Sequence, residues 1–165
     1  MDGALTMRKP ILLAIPFIML LMAAGDPKGF TIWTAGDLKA RAAALASQAA
    51  PKQGADRMAS EKLADYGNYN TQLAHREASG SAELHEKFAD IFVIQSGEAT
   101  VVVGGKIDGS HQAAPGEIRG TGVSGGERHH VSAGDVVHIP ANTPHQMLVD
   151  AGRQVTYFVV KVESR

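Results

Sequence analysis

From Met58 to the C-terminus, turn signals cut the sequence into short apolar runs. Gly67-Asn68, Ser79-Gly80, Ser96-Gly97, Gly104-Gly105, Ala133-Gly134 and Ala151-Gly152 supply the breaks. Between them lie Tyr69 to Glu77, Ile91 to Ile94, Ala99 to Val103, Val136 to Ile139 and Gln154 to Val160, rich in Val, Ile, Phe and Tyr. Short β-prone runs at this spacing predict an all-β sandwich or barrel. The runs do not alternate with helical patterns, so a doubly wound α/β fold is excluded. Residues 104 to 126 break the rhythm, with eight glycines and no apolar periodicity. They read as a long loop at the mouth of the barrel.

One helix precedes the strands. Leu38 to Ala50 is dominated by Ala and Leu, Asp37 can cap it, and Pro51 ends it. Leu38 and Leu45 give it an apolar face, which predicts packing on the barrel or on a partner subunit.

The N-terminus has the pattern of a secretory leader. Arg8 and Lys9 precede an apolar run, Ile11 to Ala24, which Pro16 interrupts. The run falls short of the roughly 20 residues of a spanning helix. Ala23-Ala24-Gly25 offers small residues for cleavage before Asp26. The expected organisation is a signal peptide over 1–25, a helical extension over 26–57 and a barrel over 58–165. The mature protein is then periplasmic or secreted, with no stable membrane insertion. The alternative is an uncleaved anchor, against which Pro16 and the short run both count.

Composition narrows the chemistry. Cysteine is absent, so disulfides, thiolate catalysis and Cys-based metal sites are excluded. The 16 basic and 17 acidic residues give a net charge of −1, which argues against binding nucleic acid through bulk charge. Two glycine patterns lead nowhere. Residues 120 to 125 fit a dinucleotide-binding spacing, and 122 to 126 fit a nucleophile elbow. Each needs a strand before it and a helix after it, and the sequence offers neither.

The polar residues of interest fall in two segments. In the first, Glu83 and His85 share one face of a strand, and Asp90 opens an apolar strand ending at Gly97. An unpaired carboxylate there would be costly to bury; a bound cation or a basic partner removes that cost. In the second, a strand ends at Pro140, and Asn142, Thr143 and Pro144 lead into His145. The two prolines fix the turn, and hence the aim of His145.

These segments resemble the two motifs of the cupin family, small jelly-roll barrels. Gly134, Pro140, Asn142 and His145 fall at the spacing of the second motif, with Asn142 replacing a glycine. Asn tolerates the left-handed backbone such a turn needs. His85, Asp90 and Gly97 fall at the spacing of the first motif, with Glu83 where a histidine is usual and Asp90 where a glutamate is. The resemblance spans about Met58 to Val162. It implies a cupin-type double-stranded β-helix holding one divalent metal at Glu83, His85, Asp90 and His145. Two imidazoles and a carboxylate suit non-haem iron, with Mn, Ni or Zn as alternatives. Glu83 is either a fourth ligand or a general base beside the metal. The resemblance further implies a small-molecule ligand, a homodimer, and either a metal-dependent oxygenase or isomerase or a non-catalytic binder without metal.

The other polar residues have plainer readings. His75 and Arg76 form a surface pair, or one points inward, where Arg76 could hold an anionic substrate through a forked pair of hydrogen bonds. His129 and His130 point to opposite faces if they lie in a strand. His138 is expected at a subunit face and His111 in solvent. A shared metal requires the ligand atoms of His85, Asp90 and His145 to converge within about 3–4 Å, since each bond would be about 2.0–2.3 Å.

Overall fold

The structure is a computed structural model and describes residues 29–50 and 57–164. The expected signal peptide lies outside the described residues. The chain divides into two units, 1–32 and 33–165. Of the first, only residues 29–32 are described, an irregular stretch with Phe30 and Ile32 exposed.

The second unit opens with helix α1 (Ala35–Ala49). Its cap is Thr34 rather than the expected Asp37. Thr34 Oγ1 accepts from the Asp37 amide at 3.2 Å, and Asp37 Oδ2 accepts from the Thr34 amide at 3.1 Å. This reciprocal pair starts the helix earlier than the Leu periodicity suggests, and such a cap contributes about 1 kcal/mol. Leu45 and Ala49 of α1 are buried against Ala59 and Leu73, with Leu38, Ala42, Leu63 and Phe158 around them. The helix therefore covers the outer face of a sheet within its own chain. Leu73 is fully buried here, so Leu73→Ala should cost about 2–5 kcal/mol, measured by urea denaturation.

Twelve strands follow: β1 (Met58–Asp65), β2 (Tyr69–Arg76), β3 (Ala82–His85), β4 (Phe88–Val103), β5 (Lys106–Asp108), β6 (His111–Ala114), β7 (Glu117–Gly120), β8 (Gly122–Ser124), β9 (Glu127–Ser132), β10 (Val136–Ile139), β11 (His145–Leu148) and β12 (Val155–Glu163). The pairings among them are antiparallel. The long strand β4 joins two sheets. Its first half pairs with β12 and β10, and its second half pairs with β11 and β9. The first sheet continues through β12 to β2 and β1, the second through β11 to β3, β7 and β6.

The changeover between the two sets of partner strands falls at Gly97, which the sequence reads as a break between two strands. Gly97 has φ 77°, and a Cβ there would lie 2.0 Å from the Gln154 carbonyl oxygen. Only glycine fits, so the chain turns from one sheet into the other without ending the strand. The shared core comprises Ala74, Phe92, Ile94, Val101, Met147 and Tyr157, among others. The result is an all-β barrel with one N-terminal helix, as the turn spacing predicts, in the jelly-roll form that the motif resemblance implies.

The glycine-rich segment departs from expectation. Most of 104–126 forms the four short strands β5 to β8. They escape a periodicity reading because they are three or four residues long, and β6 is exposed throughout. One of them, β7, pairs with β3 and brings two charged side chains to the site.

Candidate metal and ligand site

The site forms where the two sheets face each other. Asp90 comes from the first half of β4, opposite Ile139 and Lys161. Glu83 and His85 come from β3, and His145 begins β11 directly opposite Glu83. The turn before His145 is fixed locally. Asn142 has φ 59°, the left-handed conformation expected of it, and its amide donates to the His85 carbonyl at 2.7 Å. That bond ties the second motif to the strand carrying the first.

Three buried side chains converge. Asp90 Oδ2 lies 3.2 Å from His85 Nε2 and 3.5 Å from His145 Nε2. His85, Asp90 and His145 are each 5% exposed or less, so water does not screen them. Glu83 Oε2 lies 3.5 Å from His85 Nε2, and Glu83, His85 and His145 present ligand atoms within 4.8 Å of one another.

The opposite ring nitrogens are spoken for. His145 Nδ1 donates to the Thr143 carbonyl at 3.0 Å. His85 Nδ1 meets Glu117 Oε2 at 2.5 Å. Each bond fixes a proton on Nδ1 and leaves Nε2 turned inward. Each Nε2 faces a carboxylate oxygen at 3.2–3.5 Å, but neither makes a well-aligned hydrogen bond. Asp90 Oδ1 stands 3.2 Å from Lys161 Nζ, an ion pair that also lacks that alignment. Neutral imidazoles and a carboxylate facing one another are all acceptors, so the centre needs a positive charge.

The titration behaviour expresses the same need. Burial disfavours a charged His85, but the carboxylates of Asp90 and Glu83 outweigh it and push its pKa up to about 9. Burial likewise opposes an ionised Asp90, yet His145, His85 and Lys161 hold it well below the usual carboxylate range. Glu83 is brought down to about 2: burial works against this, but His85, Arg119, His145 and Arg76 prevail. In the metal-free protein a proton on His85 supplies the missing charge. A divalent cation held by the inward nitrogens and carboxylates would supply it at the same place, so the donor set fits a metal.

A cavity of about 600 Å³ opens beside these groups. Arg76 lines it, on the same face of β2 as Gln72 and Ala74. Its Nε donates to the Tyr157 hydroxyl at 2.9 Å. His75, expected as a substrate residue with Arg76, does not line the cavity. It faces the other side of β2, where Nδ1 meets Thr156 Oγ1 at 2.8 Å, because neighbours on a strand point to opposite faces. His111, His129, His130 and His138 are exposed on other strands.

Among the cavity residues that escape the sequence reading are the ionisable side chains Glu117, Arg119, Tyr157 and Lys161. Glu117 and Arg119 alternate with Ile118 between Gly116 and Gly120, a two-residue period that marks a short strand. Lys161 and Tyr157 share strand parity on β12, but nothing in the sequence sets Lys161 opposite Asp90.

An antiparallel jelly-roll barrel with the two motif segments meeting inside it is the arrangement that the motif resemblance implies. No family model matches the chain, and no curated protein matches it. Solved structures do. One is a protein of Thermus thermophilus, 17% identical, covering 64% of this chain and 83% of its own, with a TM-score of 0.48. KdgF from Halomonas is 16% identical, covering 66% and 82%, with a TM-score of 0.47. A cupin protein from Bacteroides fragilis is 16% identical, covering 64% and 77%, with a TM-score of 0.46.

Proposed function

We propose that this cupin-fold protein binds one divalent metal through His85, Asp90 and His145, with Glu83 beside it, and holds a small organic anion in the adjoining cavity. One observation carries the reading. Two buried Nε2 atoms that make no well-aligned hydrogen bond face a buried carboxylate, while the far side of each imidazole is anchored. A bound metal would act there as a Lewis acid or a seat for dioxygen, which suits an isomerase or an oxygenase. Of the two roles open to Glu83, ligand and general base, its electrostatics favour the ligand or electrostatic partner. A carboxylate brought down to about 2 is a weak base at neutral pH.

Charge supports an anionic ligand. The cavity is lined by Arg76, Arg119 and Lys161 against Glu83, Asp90 and Glu117. These balance, so a divalent metal leaves an excess of positive charge that an anion would neutralise. Arg76 is the buried residue best placed to grip it.

Lys161 favours a second reading. Its ammonium already stands against Asp90 Oδ1, and with a proton on His85 the cluster could rest without metal, as in a non-catalytic binder. Elemental analysis of protein purified without chelator, followed by titration with Mn²⁺, Fe²⁺, Ni²⁺ and Zn²⁺, separates the two. One ion bound per chain supports the metal centre. No ion retained and none taken up leaves the metal-free binder. Export as a periplasmic or secreted homodimer belongs to the same proposal, supported by Arg8, Lys9 and the short apolar run after them and by the cupin resemblance.

A further inference from the structure

We infer that the space between Arg76 and Arg119 is a seat for a ligand carboxylate, which Glu83 fills until a metal draws it away, so that metal and carboxylate bind cooperatively. This rests on the metal reading above. Its basis is the division of Glu83 between two neighbours. Oε1 takes Arg119 at 2.5 Å and Arg76 at 3.5 Å, while Oε2 points to His85 Nε2 at 3.5 Å. One carboxylate thus serves two arginines on one side and the imidazole centre on the other.

The seat is built rather than incidental. Arg76 is 7% exposed and cannot swing out. Tyr157 holds its Nε, and Gly80 lies so close that a Cβ there would be 2.6 Å from the guanidinium. Arg119 enters from β7 and also stands 3.8 Å from Glu117 Oε2. If Glu83 turns fully toward a metal, the buried Arg76 loses its carboxylate partner, which is costly. A carboxylate from the ligand restores the pairing with fork geometry that a guanidinium favours. The metal therefore opens the seat, and an occupied seat keeps Glu83 on the metal. Linkage requires the effect to be reciprocal.

The experiment uses the full-length protein, Mn²⁺ and succinate, with binding read by calorimetry at constant ionic strength. Succinate should tighten Mn²⁺ binding about tenfold, and Mn²⁺ should tighten succinate binding by the same factor. Glu83→Gln should still bind Mn²⁺, more weakly, through His85, Asp90 and His145, and its linkage should vanish. Arg119→Met, at a partly exposed position, should lose the linkage while still taking up Mn²⁺. Equal Mn²⁺ affinity with and without succinate in the unaltered protein would overturn the coupling and leave the metal centre standing. Linkage undiminished in both variants would overturn it too, since succinate would then be a direct metal ligand. An equal effect from sulfate would reduce it to bulk charge. Failure to bind Mn²⁺, Fe²⁺, Ni²⁺ or Zn²⁺ at all would remove the metal reading, and the coupling with it.

Discussion

Glu117 offers the sharpest test of how the centre is held together, because it touches the metal set only through His85. Its Oε2 meets His85 Nδ1 at 2.5 Å, and its side chain is 26% exposed, so replacing it leaves no cavity in the core. A hydrogen bond to a charged group contributes about 1.5–3 kcal/mol and a neutral one about 0.5–1.5 kcal/mol. Glu117→Gln keeps an acceptor and removes the charge, a loss of about 1 kcal/mol, or roughly fivefold to tenfold in metal affinity. Glu117→Ala removes both and frees the ring to rotate. Outer partners of metal-ligating histidines typically account for 10–100-fold in affinity, and the alanine variant should approach about 100-fold. Competition for Zn²⁺ against a chelator of known affinity measures both, with circular dichroism to confirm the fold. The ordering unaltered, Gln, Ala is the signature of an oriented imidazole. If the alanine variant is folded and binds within about twofold of the unaltered protein, Glu117 does not orient His85.

His145→Ala should abolish most metal binding and His111→Ala should leave it unchanged, since His145 is buried at the centre and His111 is exposed on β6; inductively coupled plasma measurements on the two purified variants decide this. The metal-free protein should lose stability as pH rises from about 6.5 through about 9. His85 is raised, so its contribution is complete below 6.5 and disappears as its proton leaves, by at most about 3 kcal/mol. Glu83 and Asp90 are depressed, so their contribution should fade as pH drops below about 4, and urea midpoints against pH in chelator should trace both flanks. With saturating Zn²⁺ the alkaline loss should disappear, because the metal takes the place of the proton. Expressed in a bacterium, the protein should start near Asp26 in the soluble exported fraction; an intact mass that retains Met1 in a membrane fraction would contradict the leader reading.

The parts of this fold legible in sequence are those governed by local chemistry. The turn from Pro140 to His145 is one: proline restricts it, Asn142 takes the left-handed position, and the structure shows φ 59° there. The strand Val136–Ile139 is bounded as its apolar run suggests. Strand parity sets Glu83 beside His85 for the same local reason. The features that sequence does not announce depend on pairing between distant residues. Arg119 reaches Glu83 because β7 pairs with β3, and His111 of β6 lies opposite Arg119 in the β6–β7 pairing, neither of which is signalled by four-residue strands among glycines. The first turn of α1 is ambiguous for a related reason: a capping box involves two residues at once, and Asp37 is its second member rather than its first.

Asp90 shows how the two kinds of information combine. An acidic residue opening a run of Ile, Phe and Val implies either a cation or a basic partner, and the sequence alone offers no choice between them. The structure gives Asp90 both opportunities, on different oxygens. Oδ1 stands against Lys161, which is directly opposite on β12, and Oδ2 faces the two imidazoles. The two roles do not compete for the same lone pairs. Lys161 is therefore no obstacle to a metal. By compensating one side of a carboxylate that is 2% exposed, it lowers the cost of keeping Asp90 ionised while the other side stands ready. A basic partner and a metal, alternatives when only the sequence is considered, become complementary once the register between β4 and β12 is known.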